Sequence, residues 1–292
     1  MQDNRNNRTD FKKPFNNFHN KANQHGNENG NHANKPKREP LQTVMTRTKT
    51  ALSGKEPENL HLKFNAFAEM IVDDKNRDKF KFPEKKEFSV NVSKNIQDLF
   101  ACVKNQKDVA VKDFSAVTAS RLIVGLGAES VYEVSIALHH IYGTPYIPGQ
   151  SLKGAVRNFV IAEHFGKNED EALKDKEFCA IFGKQDGAGK VMFYDVYPEN
   201  GFKLEKDTMT PHYSDYYSGK NEWPTDTEEP TPIPFLAIPG NVKFRFFLGV
   251  KKGGEELLDK AREYLKDALE QSGVGAKTAV GYGYFKDFNE VK

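Results

Sequence analysis

Only two cysteines occur in 292 residues, Cys102 and Cys179. They make neither a disulfide framework nor a CxxC pair, which argues against a secreted disulfide scaffold and a thiolate metal site. A reducing cytoplasm is the expected location. No apolar run approaches the roughly 20 residues that a membrane span needs. The first residues are polar, without the apolar segment of a secretory leader. Net charge is nearly absent as well: 43 Lys and Arg stand against 41 Asp and Glu, giving +2. The body is therefore no nucleic-acid binder by bulk charge alone.

The charge that exists is uneven. Residues 1–40 carry eight Lys or Arg against four Asp or Glu, together with eleven Asn and three Phe. Such a stretch buries too little apolar surface to offset its chain entropy. It is expected to be a disordered, mildly basic arm. Residues 41–119 are expected to be a mainly helical flank or insertion. Asn59–Val72 sets Leu60, Phe64, Phe67 and Ile71 on one helical face, and Ser93–Lys104 does the same with Ile96, Leu99, Phe100 and Val103. Asp73–Glu87 is charged and expected to be a loop.

From Ser120 the pattern changes. Ser120–Leu126 and Val131–His140 are expected strands. A helix follows at Ser151, with Leu152, Ala155, Val156, Phe159 and Val160 on one face. Lys190–Pro198 is an expected strand, and 199–231 a long polar loop. Pro232–Val250 is expected to form two strands about a Pro-Gly-Asn turn. Glu255–Gln271 is an amphipathic helix with Leu257, Leu258, Ala261, Leu265 and Leu269 inward. Thr278–Phe288 is expected to be the last strand. The order βαββαβ over 120–292 predicts an α+β domain of the ferredoxin-like or RRM-like kind.

Two stretches suggest chemistry. The helix opening at Ser151, its expected N-cap, carries Lys153 and Arg157 in its first turns. A helix N-terminus is already partly positive, so two cations there suit a bound anion. The second stretch is GVGAKTAVGYGYF, Gly273–Phe285, with Gly273, Gly275, Gly281 and Gly283 around Lys277 and Thr278. It fails the P-loop spacing, since Gln271 and Ala276 fall where glycines are required. GLGAES, Gly125–Ser130, likewise ends in Ser where a dinucleotide fingerprint wants Gly or Ala. A plain helix-to-strand turn needs one or two glycines, so four suggest backbone contact with a polyanion.

Catalytic signals are weaker. His139 and His140 would face opposite ways on a strand and make a poor metal pair. His212 lies near Asp207, Asp215 and several tyrosines, a set equally suited to acid–base work, to stacking on RNA, or to docking a neighbouring protein. No Asp/Glu spacing demands a metal.

SRLIVGLG, YGTPYIPGQSLKGAVRNF, GKVMFYDVYP, DTMTPHYSDYY, PIPFLAI and GVGAKTAVGYGYF, in that order, resemble the RAMP superfamily of CRISPR proteins. Within it the likeness is to the sixth-subunit family of the Cmr, or type III-B, effector. It covers roughly Asn59 to Phe285. PYIPGxSLKGxxR and the terminal glycine loop are general to RAMP proteins, while MTPHYxDYY and GVGAKTAVGYG point to the sixth subunit. The arm at 1–40 and much of 218–229 fall outside it.

The resemblance implies one modified RRM-like domain with helical insertions and a thumb-like loop over about 199–231. It implies a non-catalytic subunit of a ribonucleoprotein that holds guide RNA near its 3′ end and captures target RNA. The partners it implies are the repeating backbone subunit and subunit one, with no cofactor, metal or membrane. The RNA-binding residues would be Ser151, Lys153, Gly154, Arg157, Gly273, Gly275, Lys277, Thr278, Gly281 and Tyr282. Met209, Thr210, His212, Tyr213 and Tyr216 would contact RNA or a neighbouring subunit. The alternatives are a metal-independent RAMP endoribonuclease processing precursor guide RNA, a type III-A backbone subunit, and a structural cap without RNA contact.

Overall fold

The computed structural model describes residues 57–291, apart from Ala66, Glu69, 73–77, Lys81, 83–86, Ser93, Glu133, 226–229 and Thr231. The expected arm at 1–40 lies outside the described residues.

In chain order the elements are α1 (Leu60–Asn65), β1 (Met70–Val72), β2 (Asp78–Phe80), β3 (Glu87–Val90), α2 (Lys94–Lys104) and β4 (Val109–Thr118). Then come α3 (Gly149–His164), α4 (Glu169–Ala172), α5 (Lys176–Phe182), β5 (Gly183–Lys184), β6 (Gly187–Ala188), β7 (Met192–Phe193) and β8 (Tyr197–Pro198). The rest are β9 (Phe202–Met209), α6 (Ser214–Tyr217), β10 (Ile233–Ala237), β11 (Lys243–Lys251), α7 (Glu256–Gln271) and β12 (Phe285–Glu290). The fold is α+β, with antiparallel sheets.

The main sheet runs β12–β4–β11–β7, with β8 also paired to β11. Its spine is β4 against β11, nine registered pairs from Lys243 opposite Val117 to Lys251 opposite Val109. Strand side chains alternate between faces. One face sends Phe114, Phe246 and Leu248 into the large core, where Leu152 and Val156 of α3 and Leu258 and Leu265 of α7 meet them. The other face sends Val111, Tyr197 and Phe247 against Ile96, Phe100 and Val103 of α2. Arg245 sits on this second face. It donates to both carboxylate oxygens of Asp113 and to Glu199 Oε1 at 3.0 Å, and lies over the rings of Phe100 and Phe247. Burial works against its charge, and the two carboxylates more than offset that, so its pKa is raised. A smaller sheet, β10–β9–β3, packs Leu204 inward.

Local chemistry sets the helix ends. Asp175 accepts from the Phe178 N–H at 2.7 Å and caps α5. Helix α7 opens with Glu256 and Asp259; past its end at Gln271 the N–H groups of Ser272 and Gly273 both return to Ala268 O at 2.9 Å, and Gly273, at φ 70°, turns the chain out of the helix.

Several expectations need correction. The described residues of 41–119 are not mainly helical: they hold β1, β2, β3 and the main sheet's longest strand, β4. VAVKDFSAVT hides its alternation because it is buried on both faces, and Asp113 is accommodated by Arg245 rather than by solvent. Helix α1 stops at Asn65, and Met70–Val72 pairs with Asp78–Phe80 in what was expected to be helix and loop. Ser120–Leu126 and Val131–His140 form no ladder. Leu122 makes one bridge to Ile238, and Leu138 one to Pro145. The two segments do share backbone bonds, Ala137 N to Val124 O at 2.7 Å and Ser135 N to Leu126 O at 3.2 Å, while the first also gives carbonyls to the glycine loop, Ala276 N to Ile123 O at 2.8 Å and Gly283 N to Arg121 O at 2.7 Å. The expected polar loop at 199–231 begins with an eight-residue strand, β9. The two strands of Pro232–Val250 flank the Pro-Gly-Asn turn but enter different sheets. The last strand is shorter than expected: Thr278–Val280 is a 3₁₀ turn, and β12 starts at Phe285.

Phe246 is fully buried, stacked on Phe114 at 5.4 Å and edge-on to Phe285 at 5.5 Å. Phe246→Ala is expected to cost about 3–5 kcal/mol, read as a lowered urea midpoint. A loss below about 1 kcal/mol would contradict this packing.

Candidate nucleic-acid interface

Helix α3 begins earlier than Ser151 suggested. Pro148 precedes it without any side-chain cap bond, and the Gly149 N–H donates to Asp195 Oδ1 at 2.7 Å. Part of the negative charge that this helix start favours is thus the protein's own carboxylate. Ser151 is an exposed first-turn residue, not the cap. Lys153 is half-buried. Burial, then the neighbouring Arg157 charge, lowers its pKa. Among the described residues no carboxylate lies within ion-pair reach of Lys153. Arg157 does have one: its guanidinium meets Glu169 at 2.6 Å and lies over the Phe178 ring at 5.3 Å. Gly154 is exposed, and a Cβ there would meet nothing within 4 Å. A glycine inside a helix costs about 0.5–1 kcal/mol relative to Ala, and the packing gives no reason for it here.

Lys153 and Arg157 line an open cleft of about 530 Å³ whose opposite wall is the glycine-rich turn Gly183–Gly189. Lys184 stands on that wall, so the cleft holds three cations against the one carboxylate of Glu169. Gly183 and Gly189 are demanded by the turn itself, because each would drive a Cβ into the facing backbone. Gly187 has open space. The sequence reading missed this wall. Three glycines in GKQDGAG beside a lysine were the available signal.

The glycine loop after α7 is explained largely from within. A Cβ on Gly275 would clash with Ile123 O and one on Gly283 with Val274 O, and both residues have positive φ. On Gly273 it would come within 2.9 Å of Gly283 O. Three of the four glycines are therefore required by closure, Gly275 against Ile123 and Gly273 and Gly283 within the loop itself, which corrects the expectation that four exceed what a turn needs. Gly281 alone faces open space. Lys277 is left-handed at φ 61°, with its ammonium over the Phe235 ring at 5.4 Å. Thr278 O accepts the Gly281 N–H at 3.0 Å. Among the described residues no hydrogen bond, ion pair or ring contact joins this loop to the start of α3.

The loop is tied instead to the β9 arm. Tyr282 donates to Asp207 Oδ2 at 2.6 Å, and Arg121 reaches the same oxygen at 2.9 Å and Glu205 at 3.2 Å. Burial pushes the Asp207 carboxyl up, but the bonds from Tyr282 and the Thr208 N–H, with the Arg121 charge, prevail and hold it below its ordinary value. Met209 ends β9 and packs with Phe235 and Tyr282. Thr210 leads into an exposed His212, and Tyr213 and Tyr216 follow around α6. Asp207 is thus engaged with Tyr282 and Arg121, not with His212. Tyr216, Tyr217 and Trp223 are exposed large side chains on this arm.

The sheet face that an RRM leaves open to stack on bases is covered here by α2. Between α2 and the sheet lies a second pocket, of about 240 Å³, reached past Tyr142 and Asp195. His139 and His140 do not sit on opposite faces of a strand. They occupy a turn and their rings stack at 4.9 Å, with Tyr142 stacked on His139 at 4.4 Å.

Residues 115–286, more than half of the sequence, match the RAMP superfamily. The chain belongs to the RAMP superfamily. It is 37% identical to a Pyrococcus furiosus protein described as CRISPR system Cmr subunit Cmr6, over 59% of this chain. It is 28% identical to the CRISPR system CMR subunit Cmr6 of Saccharolobus solfataricus, over 67% of this chain. The chain spans 66% and 64% of the length of these two relatives. A chain in the cryo-EM structure of the type III-B Cmr-beta bound to cognate target RNA superposes with a TM-score of 0.54. It shares 25% identity over 68% of this chain and 66% of that one. The RAMP match contains the cleft, the glycine loop and the β9 arm, and α2 lies before it.

The loop geometry separates two glycines. Gly275→Ala is expected to lower the urea midpoint more than Gly281→Ala, since only the first adds a backbone clash to the strain of positive φ. Equal losses would show that the Arg121–Ile123 contact does not hold the loop.

Proposed function

We propose that the chain is a non-catalytic RNA-binding subunit of a type III-B CRISPR, or Cmr, ribonucleoprotein. It helps hold guide RNA near its 3′ end, beside the repeating backbone subunit and subunit one, while target RNA pairs with the guide. The observation that carries this reading is the cleft at the start of α3. Lys153, without a carboxylate partner among the described residues, and Lys184 both line it, beside a helix glycine that packing does not require. Such a surface suits phosphates rather than base edges, and it leaves sequence to be read by guide–target pairing.

The relatives named as Cmr6 and the likeness to a chain of an RNA-bound Cmr-beta complex support the same assignment. The order β12–β4–β11–β7, with α3 and α7 packed on one face, supports the ferredoxin-like description. The exposed side chains that follow β9 support a thumb-like arm, with Tyr216 and Trp223 available to RNA or a neighbouring subunit. In the rival reading as an endoribonuclease, His212 needs a partner group. Asp207, one of the two acidic residues flanking it in sequence, is committed elsewhere.

Lys153→Glu is expected to weaken RNA retention about tenfold, uniformly across sequences, and to lower the salt slope by about one. Unchanged RNA content in the purified variant would contradict the assignment. The wild-type contribution requires a charged lysine whose pKa is lowered. Retention of a base-stable 2′-O-methyl RNA should therefore be full at neutral pH. It should decline as pH rises, starting below the ordinary lysine value of about 10.4. Gly154→Ala is expected to stabilise the chain by about 0.5–1 kcal/mol while weakening RNA retention. Improved stability with unaltered retention would remove Gly154 from the interface.

A further inference from the structure

We infer that the pocket between α2 and the sheet receives one unpaired RNA base. The inference rests on the RNA-binding reading above and adds a base site to its phosphate cleft.

The walls are mostly aromatic. Phe100, Phe247, Tyr142, Tyr194, Tyr197 and the His139 ring line the pocket, with Leu99 and Val103 of α2 beside them. Tyr142 and His139 are stacked, and His139 and Tyr142 each meet Tyr197 edge-on, at 5.9 and 6.1 Å. The volume of about 240 Å³ exceeds the roughly 150 Å³ that takes a benzene ring, so a larger planar ring has room.

The polar groups gather where the edge of such a ring would lie. Asp195 is exposed at the mouth. It uses one oxygen on Gly149 and can accept further N–H donors. Tyr194 supplies a hydroxyl that also bonds Gln106 at 3.1 Å. His139 Nδ1 lies 3.3 and 3.4 Å from the Ile141 and Tyr142 N–H groups, which leaves Nε2–H as the donor of a neutral ring.

Two further features favour a base over a cationic protein side chain. The guanidinium of Arg245 already lies over Phe100 and Phe247, so a second cation on those rings would meet like charge. The pocket also adjoins the start of α3, the helix that carries the cleft's cations. Asp195 holds Gly149, and Lys153 stands one helical turn further along the same face. A strand lying along the start of α3 thus has a backbone contact at Lys153 and a base receptor beyond Gly149, past Asp195.

The test uses the full chain and short unstructured RNAs, each carrying 2-aminopurine at a different position. Leu99 lines the pocket, and Leu99→Trp fills it. Tyr142→Ser, at the half-exposed rim, serves as a second variant that disturbs the core less. The wild type should quench 2-aminopurine at one position. Both variants should relieve that quenching and bind the RNA roughly tenfold more weakly, with the salt slope unchanged. Undiminished quenching in both variants would overturn the base site and leave the phosphate cleft standing. Absence of any RNA binding by the wild type would overturn the cleft and the base site together. A photo-crosslinker at position 194 that captures a polypeptide of the assembled complex, and no RNA, would assign the pocket to a protein side chain and overturn the inference.

Discussion

The pairing of β11 with β4 is the constraint on which the rest depends. Phe246 and Phe247 are adjacent in the chain and point into different cores, one against α3 and α7, the other against α2. A slip of one residue would exchange the two faces and strand Arg245 among Phe114, Leu248 and the helices. The bonds from Arg245 to Asp113 and Glu199 oppose that slip. A buried ion pair is weak evidence for net stability, but breaking one partner is costly, and here it fixes register.

The candidate interface inherits this placement. Strands β7 and β8 pair with β11, so Asp195 between them is set where it can hold the first N–H of α3. That contact orients the helix whose next turn carries Lys153. The glycine loop contributes differently. It clips the end of α7 to Arg121–Ile123 and, through Tyr282, to Asp207 on the arm. Its glycines serve closure first, and of the four only Gly281 has room for a side chain. The interface therefore divides into a cationic cleft, a closed loop and an aromatic arm, each positioned by a separate set of contacts.

What could be read in advance follows from the range of the forces involved. Helices α2, α3 and α7 declare themselves through local periodicity, and their buried residues match the expected faces. Strand β4 did not, because a strand covered on both sides shows no alternation and its charged residue is answered by Arg245, 132 positions away. The cations of α3 were legible as a local anomaly. That Arg157 would be answered by Glu169, and the helix start by Asp195, was not, because both partners arrive through tertiary folding. The four-glycine loop misled for the same reason: its crowding against Ile123 and Val274 is invisible in one dimension. The RAMP motifs, by contrast, were legible from short strings, and the family match covers the residues that carry them.

The central claim is that this chain grips an RNA backbone at the start of α3, inside a Cmr-type assembly. Ultraviolet crosslinking of the assembly purified from its own cells, followed by mapping of RNA-bearing peptides, tests it most directly. The account predicts crosslinks in the peptides holding Ser151–Arg157 and Gly183–Gly189. Crosslinks confined to the β9 arm, or to other subunits, with neither cleft peptide carrying RNA, would contradict it.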